Sequence, residues 1–128
     1  MTIHDITTYL ESIAPTHLQE SYDNAGLIVG NPTTEVTGVL TSLDCTETII
    51  EEAKARGCNL VVAHHPIVFR GLKRFNGSNY VERTVIKAIK EDVAIYAIHT
   101  NLDNVRFQGV NERIAQRLDL VNLRLLGP

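Results

Sequence analysis

The apolar run Leu60-Val61-Val62-Ala63 stops abruptly on His64-His65-Pro66. A short, uninterrupted apolar stretch reads as a strand covered on both faces, and such strands belong to parallel sheets flanked by helices. Val93–Ile98 is a second run of this kind and ends on His99-Thr100-Asn101-Leu102-Asp103-Asn104. Two buried strands that each end on imidazole and carboxylate side chains point to an α/β sheet with polar groups collected at one edge. In open α/β sheets that edge, beyond the carboxyl ends of the strands, is where ligands bind.

The rest of the chain alternates in the same way. Ile6, Leu10 and Ile13 stand at helical spacing until Pro15 ends the pattern. Residues 17–25 are polar and irregular. Gly26–Gly30 reads as a short strand closed by Asn31-Pro32, and Val36–Leu43 as a second strand. Asp44-Cys45-Thr46 opens a helix for which Asp44 and Thr46 are both competent N-caps; Ile49, Ile50 and Ala53 form its apolar face and Gly57 its C-cap. Ile67–Asn79, with the cations Arg70, Lys73 and Arg74, reads as a loop. Asn79 and Glu82 resemble a capping box ahead of the helical stripe Val81, Val85, Ala88 and Ile89. Val110, Ile114 and Leu118 mark a last helix over 109–118, and Val121–Pro128 is a strand or an exit segment. The expected fold is a layered α/β/α domain with a largely parallel, mixed sheet.

Hydrophobic residues are 44% and charged residues 21% of the 128, with net charge −3. That suits one folded domain over residues 1–128 and excludes disorder as the main state. No apolar run approaches the roughly 20 residues of a membrane helix. The first ten residues lack the basic and apolar regions of a signal peptide, so a cytoplasmic protein without membrane contact is expected. The acidic balance argues against a nucleic-acid partner. Cys45 and Cys58 have no metal-site or redox spacing and read as reduced thiols packed as small hydrophobes.

The histidines carry the chemistry. His64, His65 and His99 all fall just past the ends of the two buried strands, with Asp103 one step beyond, whereas His4 and His17 read as surface residues. Adjacent residues of an extended strand point to opposite faces, so His64 and His65 share one ion only if the chain turns, or else serve two ions. Pro66 favours extended geometry at His65. Imidazole with carboxylate suits Zn, Fe, Mn, Ni or Co, and water on such an ion becomes a nucleophile near neutral pH. Each residue has a plainer alternative. His99 reads equally as a strand-end histidine bonded to backbone, and Asp103 as a turn or N-cap aspartate. N-capping alone accounts for Asp44. Arg70, Lys73 and Arg74 are either a solvated basic loop or a holder of an anionic group such as phosphate.

Four stretches, Tyr22-Asp-Asn-Ala-Gly-Leu27, Ser42-Leu-Asp-Cys-Thr46, Val62-Ala-His-His-Pro66 and His99-Thr-Asn-Leu-Asp103, resemble in order and spacing the Nif-three-like family of dimetal proteins, the type 2 GTP cyclohydrolase I homologues. The resemblance implies a site of two divalent ions built from both halves of a longer chain. Its first half supplies two adjacent histidines and an aspartate, matched here by His64, His65 and Asp103. The late His-x-x-x-Glu motif of the second half has no counterpart after Asp103, so residues 1–128 correspond to the amino-terminal half. The resemblance further implies His99 as an acid/base or supporting group and GTP as a nucleotide substrate opened by water. It also implies a homo-oligomer, the family's ring-shaped hexamer. A regulatory or protein-interaction module with a structural or vestigial metal site is the alternative it leaves open, and an inactive half is a third.

Overall fold

A computed structural model of the chain describes residues 1–124. Helix α1 (Ile3–Ile13) starts on a reciprocal cap: the Thr2 hydroxyl accepts from Asp5 N–H at 3.3 Å and the Asp5 carboxylate accepts from Thr2 N–H at 2.7 Å. Its apolar stripe Ile3, Ile6 and Leu10 lies on the sheet, and Ala14 ends the helix ahead of Pro15. A 3₁₀ turn (Thr16–Leu18) and an irregular stretch lead to β1 (Gly26–Val29).

Strand β2 (Val39–Ser42) is shorter than the expected 36–43. The residues before it bond elsewhere: Val36 N–H donates to Met1 O, and Thr37 N–H donates to the Asn59 side chain. Helix α2 (Glu47–Ala55) ends as expected. Gly57, at φ +71°, donates to Lys54 O and Cys58 N–H donates to Ala53 O, a left-handed cap that favours glycine. Strand β3 (Leu60–Ala63), helix α3 (Tyr80–Lys90) and strand β4 (Ala94–Ala97) follow. Only half of the expected capping box forms at α3. Asn79 accepts from Glu82 N–H, but the Glu82 carboxylate accepts from Asn76 and Ser78 N–H of the preceding loop instead. A one-turn helix, α4 (Thr100–Asp103), and α5 (Val110–Arg117) complete the elements. Residues 121–124 form no strand, and the remainder of the tail, 125–128, lies outside the described residues.

The strand order is β1-β4-β3-β2, with β2, β3 and β4 parallel and β1 antiparallel to β4. Strand alternation then sorts the core into two layers. Val61, Ala63 and Ile95 pack with Ile50 and Ala53 of α2 and Ala88 of α3, while Leu60 and Tyr96 pack with Ile3 of α1 on the opposite face. Cys45 is buried and Cys58 half-buried, both as free thiols, and burial pushes the Cys45 thiol up to about 12. Ile95 is 0% exposed in the middle of the sheet. Ile95→Ala is expected to cost about 2–5 kcal/mol, read as a drop in the urea midpoint without a change in slope.

The expected apolar stripe of α5 is not where the burial is. Ile114 and Leu118 are 51% and 63% exposed, and Ala115 is the buried residue of that helix. Among the described residues, no helix is long and apolar enough to cross a membrane.

Candidate metal centre

The parallel register aligns Ser42 with Ala63 and Ala63 with Ala97. The residues that follow each strand therefore emerge side by side. Backbone bonds from His64 N–H to Ser42 O (3.2 Å) and His65 N–H to Leu43 O (2.9 Å) carry β3 a step further along β2 before the chain turns. That turn resolves the problem of two adjacent histidines. Their ring centroids lie 5.0 Å apart, and the His99 ring sits 5.2 and 5.5 Å from them. Each of His64, His65 and His99 offers a ligand nitrogen, and these atoms all lie within 4.8 Å of one another.

The hydrogen bonds orient the rings. His64 Nδ1 donates to Ile98 O at 2.9 Å, His65 Nδ1 to Asp44 Oδ1 at 2.8 Å, and His99 Nδ1 to Asp23 Oδ1 at 2.8 Å. A carbonyl or carboxylate oxygen only accepts, so the proton belongs on Nδ1 and Nε2 keeps its lone pair. Among the described residues no hydrogen bond forms to Nε2 of any of the three. An outer acceptor on one nitrogen and a bare lone pair on the other is how histidines are prepared as metal ligands.

The gathered set is thus His64, His65 and His99, and the expected ligand Asp103 is not in it. Asp103, on α4, has its Oδ1 3.9 Å from His64 Nε2, too long for a hydrogen bond. Two ligand atoms about 2 Å from one ion lie roughly 3–4 Å from each other. The three histidines can hold a divalent ion, and imidazole ligands suit Zn, Fe, Ni or Co. Asp103→Ala is expected to weaken Zn(II) binding by about 10–100-fold with unchanged helix content, measured by zinc titration and circular dichroism. An unchanged affinity would remove Asp103 from the centre.

Asp44 is not the helix cap. Thr46 takes that place, its hydroxyl accepting from Ile49 N–H at 3.4 Å, and Asp44 turns to His65 instead. The reason is the register: Asp44 leaves β2 beside the point where His65 leaves β3. Asp23 has no assigned role in the sequence reading, although Tyr22-Asp-Asn-Ala-Gly-Leu27 is one of the family stretches. Its side chain is closed to water, 0% exposed, and besides His99 it accepts from Thr100 N–H at 3.0 Å and from the Thr100 hydroxyl. Burial pushes its carboxyl up, but the bonds from Thr100, His99 and Asn24 outweigh this and hold it below its ordinary 3.8. His4 and His17 are exposed.

His65 and Asp44 open onto a cleft of about 610 Å³ that Phe69, Arg70 and Tyr80 also line. Arg70, Lys73 and Arg74 are all exposed, but of the three only Arg70 lines the cleft. The Phe69 ring stands 6.3 Å from both Tyr22 and His99.

Comparison with known proteins agrees with this arrangement. The family model of Duf34/NIF3 (NGG1p interacting factor 3) matches residues 1–128. A "GTP cyclohydrolase 1 type 2 homolog" of Clostridium perfringens is 40% identical over 118 residues, 92% of this chain and 45% of that protein. The crystal structure of a Bacillus cereus protein related to NIF3 superposes with a TM-score of 0.91 at 39% identity, over 100% of this chain and 35% of that one. Reduced HcgD from Methanocaldococcus jannaschii superposes with a TM-score of 0.89 at 28% identity, over 99% of this chain and 50% of that one. The chain therefore spans between a third and a half of the length of these relatives. Matched along its whole length and sharing its fold with these relatives, the chain belongs to the Duf34/NIF3 family.

Proposed function

We propose that residues 1–128 are the amino-terminal part of a metal-dependent hydrolase of the GTP cyclohydrolase type 2-like kind, acting on a nucleotide. His64, His65 and Asp103 are the ligands this chain gives to a site that holds two divalent ions when complete. The observation that carries the reading is the pair His64 and His65, whose Nδ1 atoms are engaged so that Nε2 is left for an ion, with the His99 ring 5.2 and 5.5 Å from theirs. A bound divalent ion supplies Lewis acidity and water made acidic near neutral pH. The chain's own groups do the rest. Ile98 O and Asp44 fix the His64 and His65 rings, so that no rearrangement is needed on binding.

His99 is assigned to proton handling at Nε2. Its partner Asp23 is enclosed, whereas Asp44 behind His65 is 61% exposed. An enclosed carboxylate bonded to Nδ1 fixes the tautomer and orientation of the ring, as for an acid/base imidazole. The test is GTP turnover by the metal-loaded chain supplied with the second half of a relative. Turnover that needs the ion, and that His99→Ala abolishes while keeping metal content, is the expected result. Metal-independent turnover, or none with any of the five metals, would overturn the enzymatic reading.

A second reading, a protein-interaction module with a structural ion, has one observation of its own. Ile114, Leu118, Leu120, Val121 and Leu123 on and after α5 are all at least half exposed. Such an apolar surface suits a partner or a second copy in a homo-oligomer. The two readings separate on chelation. The hydrolase reading expects the metal-free chain to keep its cooperative thermal transition; loss of that transition with chelator would mean that the ion is structural.

A further inference from the structure

Four cations on α2 and α3, or at their ends, are paired: Lys54 with Glu91, Arg56 with Glu52, Arg83 with Glu47 and Lys87 with Glu51. Arg70, on the wall of the cleft that His65 enters, makes no ion pair or side-chain hydrogen bond among the described residues. Asp44, the one carboxylate residue among the cleft's described lining, is engaged by His65.

The segment carrying Arg70 has no regular structure, yet it is held at both ends. Asn24 Nδ2 donates to Val68 O at 2.6 Å, and Glu82 accepts from Ser78 N–H at 2.9 Å and Asn76 N–H at 3.3 Å. Asn24 adjoins Asp23, so the stretch that braces His99 also fixes the start of the Arg70 loop. We propose that Arg70 is the anchor for a phosphoryl arm of the ligand that reaches the histidine centre, a proposal that rests on the metal-centre reading above. An arginine without an ion-pair partner that lines the same cleft as His65 offers a planar fork that matches phosphoryl oxygens. The cleft, at about 610 Å³, has room for such an arm and the group attached to it. Lys73 and Arg74 lie outside the lining and serve as internal controls.

The experiment is calorimetric titration of inorganic tripolyphosphate into the metal-free chain. Arg70→Met is expected to weaken binding about tenfold or more, Arg70→Lys to restore part of it, and the double change Lys73→Met, Arg74→Met to alter it less than about twofold. GTP in place of tripolyphosphate is expected to show the same loss. Wild-type chain that binds no tripolyphosphate overturns the proposal. So does a double variant that loses as much as Arg70→Met, since the attraction is then a diffuse field. A loss seen with GTP alone also overturns it, because Arg70 would then contact the nucleoside. No ion takes part in this titration, so a failure of zinc binding leaves its result standing. Zinc binding retained by Arg70→Met separates the two readings from the other side.

Discussion

Asp23→Ala is expected to lower folding stability by about 3 kcal/mol and, in the completed protein, to lower turnover by about 100-fold or more without loss of bound metal. The stability loss follows from the bonds the carboxylate receives. Thr100 N–H at 3.0 Å and the Thr100 hydroxyl lose a charged acceptor at the start of α4, and Asn24 N–H at 2.7 Å loses the same. Nothing fills the closed space around a 0% exposed side chain. The loss of turnover follows because His99 Nδ1 loses the partner that fixes its tautomer. Asp23→Asn keeps the shape and separates charge from packing.

The sign with pH is definite. Asp23 is held below its ordinary 3.8, so its ionised form stabilises the fold fully above that value. The contribution fades as pH falls through the lower folded value, when the native carboxylate takes up its proton. Acid unfolding of wild type is therefore expected to include this loss. Asp23→Asn removes it, giving a flatter stability profile below about pH 4 in urea titrations. Identical profiles for the two proteins would contradict the bond network.

His64→Ala with His65→Ala is expected to reduce Zn(II) affinity by at least about a thousandfold. Four-ligand zinc sites bind with about 10–16 kcal/mol, roughly 3 per ligand, so two lost ligands account for that factor and more. The fold should tolerate the change. The His64 and His65 side chains are 23% and 47% exposed and stand beyond the last ladder residue, Ala63. A stability change within about 1 kcal/mol is expected, checked by urea unfolding of both proteins without metal. A variant that unfolds on its own would mean that the histidines hold the sheet edge together.

What the sequence makes legible is what local chemistry controls. The runs 60–63 and 93–98 are apolar because both faces of those strands are covered, and the structure puts β3 and β4 at the centre of the sheet. Gly57 marks the end of α2 because only a left-handed residue continues the chain there. The gathering of His64, His65 and His99 is legible from the rule that parallel strands end at one edge. The rest depends on contacts between distant parts of the chain. Asp23 meets His99 across 76 positions, and Asp44 meets His65 across 21, so neither spacing carries a periodic signal. An aspartate before a helix looks like a cap, and only the β2–β3 register shows that Thr46 caps instead. The α5 stripe has the right period for burial, yet period alone does not say what lies opposite; among the described residues Ile114 is left 51% exposed.

A divalent-ion centre formed by the Nε2 atoms of His64 and His65, with their rings held by outer acceptors, is the proposal on which the metal chemistry depends. It is tested most directly by equilibrium dialysis of the metal-free chain against Zn(II), with bound metal counted by mass spectrometry. The account predicts saturable binding that disappears when His64 and His65 become alanine and persists when the exposed His4 and His17 do. Absence of saturable binding in the wild type, or binding that survives the loss of His64 and His65, would contradict it.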